Sequence, residues 1–435
     1  MNKRGKEIYF ISDLHIGGDG ITNAFEAEQE LIEFIEWLNR RSKSTDLELI
    51  IAGDFLGLWE VQEKRGLDKF HFITETHRAV FQGLKELSQN ISIILIPGNH
   101  DHELACFKEY GQLLREWGIE LASNYFVERE YFGKKARIEH GNRFDPYNKI
   151  ERFGDINDTP YGFHLRTDLA SKIVRLPEKN HHNKTWLTGF ISVPVELIPH
   201  WFISNYFYRE LTPILRYFVA PLLMLFTLST VLFVLAVITR LGLIDIPDIF
   251  YLTSFLGPVK YFANAVILFN FLFIVWFIIF SIAWKLIRRD LINNLREYGI
   301  HLGNGAFRVR DEKHYKRQVK NFLRERLDID IFIYGDSHYP DVMTFKNKGM
   351  QHIIGNTGTW TKSLHPVRSW FRLPSVYYPH FQLAYLVLKK NKSGKVSLSL
   401  KFWSKKAVSP LTPLERLSIL FKDRDIKPQE NTIAF

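Results

Sequence analysis

Cysteine is almost absent from this sequence of 435 residues, in which Cys106 is the single example. One cysteine cannot form a disulfide within the chain, and this scarcity is typical of a reducing compartment.

Acidic residues are also in the minority. Lys and Arg total 57 against 47 Asp and Glu, which gives a net charge of +10. This excess favours an anionic partner, such as nucleic acid, anionic lipid or a phosphorylated ligand. Hydrophobic residues make up 46% and charged residues 24%, values that exclude a disordered or collagen-like chain. The mean hydropathy of -0.12, taken as an average, argues against an integral membrane protein.

Charge is missing altogether from two long runs, residues 217–239 and residues 261–284. As helices of 23 and 24 residues, each would be about 35 Å long, enough for a hydrocarbon core of about 30 Å. We therefore predict two transmembrane helices; the alternative is a pair of helices buried in a large soluble core. The outer flanks of the pair are basic, with Arg209, Arg216, Lys285, Arg288 and Arg289. The positive-inside rule then predicts an integral membrane protein whose long flanking parts are cytoplasmic.

Two segments beside these runs have unusual composition. Residues 186–208 are rich in Trp, Tyr and Phe, which favours the headgroup region of a membrane; the alternative is a small aromatic core. Residues 313–324 carry basic side chains at helical spacing, which indicates either a solvated helix face or a surface attracted to anionic lipid. The basic residues are Lys313, Lys316, Arg317, Lys320 and Arg324.

Short apolar runs alternate with amphipathic patterns in the rest of the chain, which predicts an α/β domain. The patterns at about 24–41 and 71–89 predict helices. Four runs rich in branched residues predict buried strands, and each is followed by a polar cluster. These runs are residues 8–12, 49–52, 93–96 and 331–334. Because ligands in α/β folds bind beyond the carboxyl ends of strands, the clusters are candidates for one shared site.

Five polar clusters contain the candidate ligands. They are Asp13-Leu14-His15, Gly53-Asp54, Gly98-Asn99-His100-Asp101, His140-Gly141-Asn142 and Gly335-Asp336-Ser337-His338. Each cluster alone is weak evidence, because a single Asp or His at a strand end more often caps or supports the core. Together they supply carboxylate, amide and imidazole groups that suit two divalent ions. Two such ions can hold a bridging hydroxide and bind a phosphoryl group during in-line attack.

The order of these clusters resembles the calcineurin-like metallophosphoesterase family, over about residues 1–150 and 328–402. Residues 355–360 are similar to the strand that follows the last metal motif of that family. The resemblance implies a metallophosphoesterase-like αββα sandwich, here interrupted by an α-helical membrane insertion with two transmembrane helices. The implied cofactor is a pair of divalent ions, with Mn favoured and Fe, Zn or Mg as alternatives.

The resemblance also implies a role for each residue. Asp13, His15 and His338 would bind the first ion, and Asp54 would bridge both. Asn99, His140 and Asp336 would bind the second ion. His100 would be the general acid or a donor to the phosphoryl group, and Asp101 would orient His100 through a hydrogen bond.

This sequence departs from the family pattern at two positions. Asp336 stands where the last motif usually has His, and a carboxylate there favours a harder ion such as Mn or Mg over Zn. Gly57 stands where the second motif usually has a supporting acid. A loose similarity to the UDP-2,3-diacylglucosamine hydrolases rests on Trp59, whereas those enzymes commonly have Arg at the position of His100 and have no membrane hairpin.

These observations predict a discontinuous enzyme whose parts are residues 1–155, an insertion at 156–310, residues 311–405 and a C-terminal tail at 406–435. Tethering to a bilayer favours a lipid-linked phosphate or pyrophosphate ester at the cytoplasmic face as substrate. One alternative is a membrane-tethered nucleotide or nucleic-acid phosphodiesterase, although the aromatic residues cluster near the membrane runs rather than on a soluble face. The other is a non-catalytic membrane scaffold whose metal site is structural. The oligomeric state is left open.

Overall fold

Two mixed β-sheets form the centre of the protein in the computed structural model. The structure describes residues 5–17, 25–61, 64–164, 167, 198–212, 312–370, 373–391, 393–405, 411–420 and 429–435, with single positions and short stretches between 227 and 282. Fourteen strands and eight α-helices lie within these residues.

The strands and helices have the following bounds. The strands are β1 Lys6–Ile11, β2 Asp46–Ala52, β3 Ser92–Ile96, β4 Glu120–Leu121, β5 Phe126–Tyr131, β6 Lys134–Glu139, β7 Ile331–Tyr334, β8 Asp341–Asn347, β9 Met350–Asn356, β10 Lys362–Val367, β11 Val376–Phe381, β12 Ala384–Lys390, β13 Val396–Phe402 and β14 Asn431–Ala434. The α-helices are α1 Glu28–Ser42, α2 Leu67–Thr76, α3 Arg78–Ser88, α4 Glu103–Cys106, α5 Lys108–Glu116, α6 Ile198–Asn205, α7 Glu312–Glu325 and α8 Pro413–Ser418. A 3-10 turn spans Asn142–Phe144, and a π-helical turn spans Tyr206–Glu210.

The first sheet has seven strands in the order β14-β13-β12-β1-β2-β3-β4, and the second has five in the order β5-β6-β7-β9-β8. In the first sheet β1, β2, β3 and β4 are parallel, and β12 joins β1 antiparallel. In the second sheet β6, β7 and β9 are parallel. Both sheets therefore have a group of parallel strands whose carboxyl ends can present a site.

The two sheets pack face to face between layers of helices. Successive side chains of a strand point to opposite faces of its sheet and so contact different layers. Tyr9 and Ile11 of β1 face the core formed with α1, α3 and α5, whereas Ile8 and Phe10 face the second sheet. Helix α7 covers the outer face of the second sheet, where Val319 packs with residues of β7 and β9. The layers are helices, sheet, sheet and helix, as the αββα expectation requires. Because both faces of the central strands are buried, their sequences are continuously apolar.

The predicted strands agree with β1, β2, β3 and β7, and the predicted helix at 24–41 agrees with α1. The predicted helix at 71–89 is instead two helices, α2 and α3, which meet at His77. His77 has φ -108° and ψ 36°, which is outside the helical region and breaks the amphipathic pattern.

The predicted membrane spans at 217–239 and 261–284 lie mostly outside the described residues. Within the part of the chain that the structure describes, none of the helices has both the length and the apolar character to cross a bilayer. The two spans therefore stay predictions.

The aromatic segment is partly described, and its described part supports the alternative of a small aromatic core. Trp201, Phe207 and Tyr208 are buried. Phe207 and Tyr208 pack with residues around β11 and α8, and the Tyr208 hydroxyl donates to the Pro374 carbonyl at 2.8 Å. Residues 186–197 lie outside the described residues.

The described residues of the predicted C-terminal tail pack with the rest of the described structure. Strand β14 pairs antiparallel with β13 and forms an edge of the first sheet. Helix α8 begins with a capping box in which Thr412 and Glu415 each bond the other's backbone, and it packs beside Tyr208.

Candidate metal centre

The five polar clusters meet at the carboxyl ends of the parallel strands. Asp13, Asp54 and Asn99 follow β1, β2 and β3, while His140 and Asp336 follow β6 and β7. Backbone hydrogen bonds join these loops: the Asp13 N–H donates to the Gly53 carbonyl at 3.1 Å. The Gly335 N–H donates to the His140 carbonyl at 2.7 Å and joins the loops of the second sheet. The site thus lies where the ends of both sheets converge.

The backbone is strained at the ligand positions. Asp13, His15, Asp54, Asp336 and His338 have φ between 50° and 62°, the left-handed region that residues other than glycine rarely adopt. They are five of the nine such residues in the described part of the chain. Strain of this kind costs about 1–3 kcal/mol per residue and persists at functional sites where the surroundings determine it.

Glycines precede three ligands because the space beside them is occupied. A Cβ on Gly98 would lie 2.5 Å from the Asp54 nitrogen, and a Cβ on Gly335 would lie 2.5 Å from Asp13 Oδ2. A Cβ on Gly53 would lie 2.5 Å from the His140 Cβ. These glycines let the loops approach closely enough for the side chains to converge.

One group of candidate ligands surrounds His140. Its Nε2 lies 3.1 Å from Asn99 Oδ1, 3.2 Å from Asp54 Oδ2 and 3.5 Å from Asp336 Oδ1. Its Nδ1 donates to the Ala52 carbonyl at 2.9 Å, which leaves Nε2 directed at the three oxygens. A single nitrogen cannot satisfy three acceptors. An octahedral ion with bonds of about 2.1 Å separates neighbouring ligand atoms by about 3 Å, so a divalent ion fits this group.

A second group consists of Asp13, His15 and His338. Asp13 Oδ1 lies 3.1 Å from His338 Nε2, and His15 Nε2 lies 3.6 Å from Asp54 Oδ2. Within the part of the chain that the structure describes, both ring nitrogens of His15 and Oδ1 of Asp13 are buried and have no hydrogen-bond partner. Buried polar atoms of this kind are costly unless a partner binds them, and a metal ion would be that partner.

Ligand atoms within 4.8 Å of one another define three overlapping groups among the described residues. They are Asp13 with His15 and His338, His15 with Asp54 and His100, and Asp13 with Asp54 and His140. Asp54 belongs to two of these groups, which fits the predicted bridge between two ions.

The charge of the pocket also suits cations. Burial raises the pKa of Asp54, but His140 and His100 outweigh this effect and hold that pKa well below its usual value. Burial, together with the charge of His100, holds the pKa of His15 well below its usual value, so His15 is neutral and able to act as a ligand.

His100 lies beside the candidate ligands in a buried pocket. Its backbone N–H donates to Asp54 Oδ1 at 2.8 Å. The Trp59 ring packs on the imidazole, with ring centres 4.0 Å apart and planes 32° apart. Trp59 also contacts Phe163, at 5.5 Å between ring centres, near the start of the predicted insertion.

Glu60 is a residue of this pocket that the sequence did not reveal. It is 2% exposed, and its Oε1 lies 3.1 Å from His100 Nδ1. A Cβ on Gly57 would approach the Glu60 carboxylate to 2.9 Å. Glu60 therefore places a buried carboxylate beside His100 and next to position 57, where the resemblance implies a supporting acid.

Asp101 differs from its predicted role. Its Oδ1 accepts from the Gly98 N–H at 2.6 Å, and its Oδ2 accepts from the N–H groups of Phe55 and Leu56 at 2.8 and 3.2 Å. Among the described residues these bonds connect the loops after β2 and β3, whereas the prediction was a hydrogen bond to His100. Burial and the charge of Asp54 raise the pKa of Asp101 to about 7.

The family model described as calcineurin-like phosphoesterase matches residues 6–188 of this chain. Over this segment the chain is similar to the metallophosphoesterase family that the ordered clusters predicted, and this similarity supports a hydrolase acting on phosphoester bonds. The matched segment contains the candidate ligands from Asp13 to His140; Asp336 and His338 come after it.

A curated relative is the DNA polymerase II small subunit of Methanothermobacter thermautotrophicus, which is 30% identical over 193 residues. The similarity covers 40% of this chain and 36% of the relative, so the chain spans about a third of the relative's length.

Two solved structures match this chain at low sequence identity and with TM-scores below 0.5. Vacuolar Protein Sorting 29 from Cryptosporidium parvum is 12% identical, with 99% of this chain and 98% of that chain covered and a TM-score of 0.33. A dimetal phosphatase from Danio rerio is 10% identical, with 92% and 96% covered and a TM-score of 0.32.

Proposed function

We propose that this protein is a membrane-anchored phosphoesterase with two divalent ions that hydrolyses a phosphate or pyrophosphate ester on a lipid at the cytoplasmic face. The observation that supports the chemistry is the convergence of nine predicted side chains from five strand ends. Mn²⁺ is the favoured ion because oxygen ligands from Asp13, Asp54, Asn99 and Asp336 join the imidazoles.

Bound at these residues, two divalent ions would supply a hydroxide nucleophile at neutral pH and positive charge for the phosphoryl oxygens. Asp54 lies between the two ligand groups and would hold both ions at a short separation. His100 lies in contact with the same groups and would donate a proton to the leaving oxygen or hydrogen-bond the phosphoryl group. The Trp59 ring covers one face of the buried His100 imidazole.

The lipid part of the proposal is supported by exposed apolar side chains at the described positions between 227 and 282. Leu228, Leu268 and Phe269 are 56%, 58% and 65% exposed. Surfaces of this kind are unfavourable in water and are typical of contact with a membrane or a partner. The basic face of α7 adds an attraction to anionic lipid, and Lys313, Arg317 and Lys320 line a shallow depression on it.

The assay uses the full-length protein in lipid nanodiscs after metal removal and addition of Mn²⁺. Substrates are a lipid phosphate, a lipid pyrophosphate and water-soluble analogues with the same headgroup but without acyl chains. We expect hydrolysis of the lipid to exceed that of its soluble analogue, and Asp54→Asn or His100→Ala to lower turnover about 100-fold or more. Asp330→Asn is the matched control, because Asp330 pairs with Lys134 away from the site.

Equal activity on lipids and soluble analogues would contradict the lipid part alone.

A second candidate, a nucleic-acid phosphodiesterase, is favoured by the similarity to a DNA polymerase small subunit and by the net charge of +10. Preferential hydrolysis of a single-stranded oligonucleotide in the same assay would support it. Two bound ions without hydrolysis of any ester would favour a scaffold with a structural metal site.

A further inference from the structure

Helix α7 contacts the last ligand loop through Tyr315. This tyrosine is 2% exposed and lies in the first turns of the helix, which directly follows the predicted insertion. Its hydroxyl donates to Asp336 Oδ2 at 2.5 Å, and Asp336 is 1% exposed. Its ring lies parallel to that of Tyr334, with planes 9° apart and ring centres 6.4 Å apart.

The two oxygens of Asp336 have different surroundings. Oδ1 lies 3.5 Å from His140 Nε2 and faces the candidate ligands, whereas Oδ2 accepts from Tyr315. The next residue is held by the same turn of α7, because Ser337 Oγ donates to Glu312 Oε2 at 2.7 Å. The carboxylate is thus oriented so that one oxygen can meet an ion.

We propose that Tyr315 is a positioning residue that makes Asp336 a one-oxygen ligand and thereby sets the affinity of the second ion site. This inference rests on the two-ion site of the proposed function. The inference follows from Asp336, which stands where the family pattern usually has His. An imidazole presents one free nitrogen from a rigid ring, but a carboxylate rotates and offers two equivalent oxygens. A donor on one oxygen removes that freedom before the ion binds.

The simpler reading is that Tyr315 only fills the core between α7 and the second sheet, where it packs with Val319 and Leu323. The two readings differ in one observable. Loss of the hydroxyl leaves the packing volume unchanged, so a purely packing role predicts no change in the affinity for ions.

The test measures Mn²⁺ binding to the full-length Tyr315→Phe protein in detergent by calorimetry, and metal content after dialysis by mass spectrometry. For the wild type we expect two ions. For the variant we expect the first affinity to stay within about twofold and the second to fall about 10- to 100-fold, the usual effect of removing a partner of a metal ligand. The paramagnetic resonance signal of a coupled Mn²⁺ pair should be lost at concentrations that fill the wild type.

The matched control is Tyr110→Phe. Tyr110 is also fully buried, and its hydroxyl donates to a carboxylate, Glu103 Oε1, at 2.8 Å away from the ligands. This variant should keep both affinities. In an Asp336→Ala background, Tyr315→Phe should cause no further loss, because its partner is gone.

Unchanged affinities in Tyr315→Phe, or losses that add fully to those of Asp336→Ala, would overturn the inference. If the wild type binds two ions but hydrolyses no ester, the proposed function fails while this inference stands. If the wild type binds no pair of ions, both are overturned.

Discussion

Glycine is required before the ligands for a steric reason that can be tested one residue at a time. At Gly98 a Cβ would lie 2.5 Å from the Asp54 nitrogen and 2.9 Å from His140 Cδ2. Both neighbours are fixed, one by the backbone and the other by its bond to the Ala52 carbonyl. Since neither can move without displacing a ligand, the loop must shift.

We therefore expect Gly98→Ala to lower the affinity for Mn²⁺ and the turnover by at least about 10-fold, while the protein still folds. Calorimetric titration with Mn²⁺ and a chromogenic phosphodiester assay measure the two effects. Gly111→Ala in helix α5 is the control, because the nearest neighbour of its Cβ would be Leu121 Cδ2 at 4.0 Å. It should stabilise the helix by about 0.5–1 kcal/mol. Normal Mn²⁺ binding by Gly98→Ala would contradict the steric argument.

Glu60 leads to a second prediction at this scale. Because its carboxylate lies 3.1 Å from His100 Nδ1 in a buried pocket, we expect Glu60→Ala to lower kcat about 10- to 100-fold with little change in KM. Glu60→Gln keeps the shape and an acceptor oxygen and should recover part of the loss. Glu48→Gln, a buried glutamate paired with Lys6 and Arg129, should affect stability rather than kcat. A normal kcat in Glu60→Ala would show that Glu60 does not contribute to turnover.

The residues of the candidate site differ in whether they could be predicted from the sequence. Asp13 and Asp54 were predictable because each follows a buried strand, and parallel strands end at one edge. Glu60 was missed because the family spacing directs attention to position 57, and only the fold shows that Gly57 leaves room for another acid. Tyr315 was missed because a tyrosine on an amphipathic helix gives no signal beyond burial.

At the scale of elements, the strands that could be predicted from the sequence are those with a continuous apolar run. Strands β1, β2 and β3 are buried on both faces and therefore appear as apolar runs. Strand β14 lies at an edge, and three of its four residues are exposed, so no such run exists. Its place in the sheet depends on pairing with β13, which local sequence does not encode.

The edge strand can be tested through Ile433, which packs against the core between the two sheets. We expect Ile433→Ala to lower the free energy of unfolding by about 1–2 kcal/mol, less than for a fully buried isoleucine. Ala434→Ser, at an exposed position of the same strand, should change it by less than about 0.5 kcal/mol. Denaturant unfolding measures both. Equal effects would mean that β14 does not pack as described.

At the scale of the whole molecule, neighbouring strands of the second sheet come from distant parts of the sequence. Strand β6 ends at Glu139 and its neighbour β7 begins at Ile331, so the predicted insertion would leave and re-enter the fold beside the candidate ligands. Trp59 contacts Phe163 where the chain departs, and Tyr315 contacts Asp336 where it returns. A membrane anchor placed here would orient the metal centre relative to the lipid surface.

This arrangement predicts the topology of the chain in sealed vesicles that expose the cytoplasmic face. Trypsin should cleave near Lys149 and Arg152, whose side chains are 47% and 68% exposed. Arg240 and Lys260 flank the loop between the two predicted spans and should be protected until detergent opens the vesicle, because that loop would lie on the opposite side. Mass spectrometry of the released peptides identifies each site. Cleavage at residues 240 and 260 in intact vesicles, at the rate seen near residue 150, would contradict the membrane hairpin while leaving the metal centre untouched.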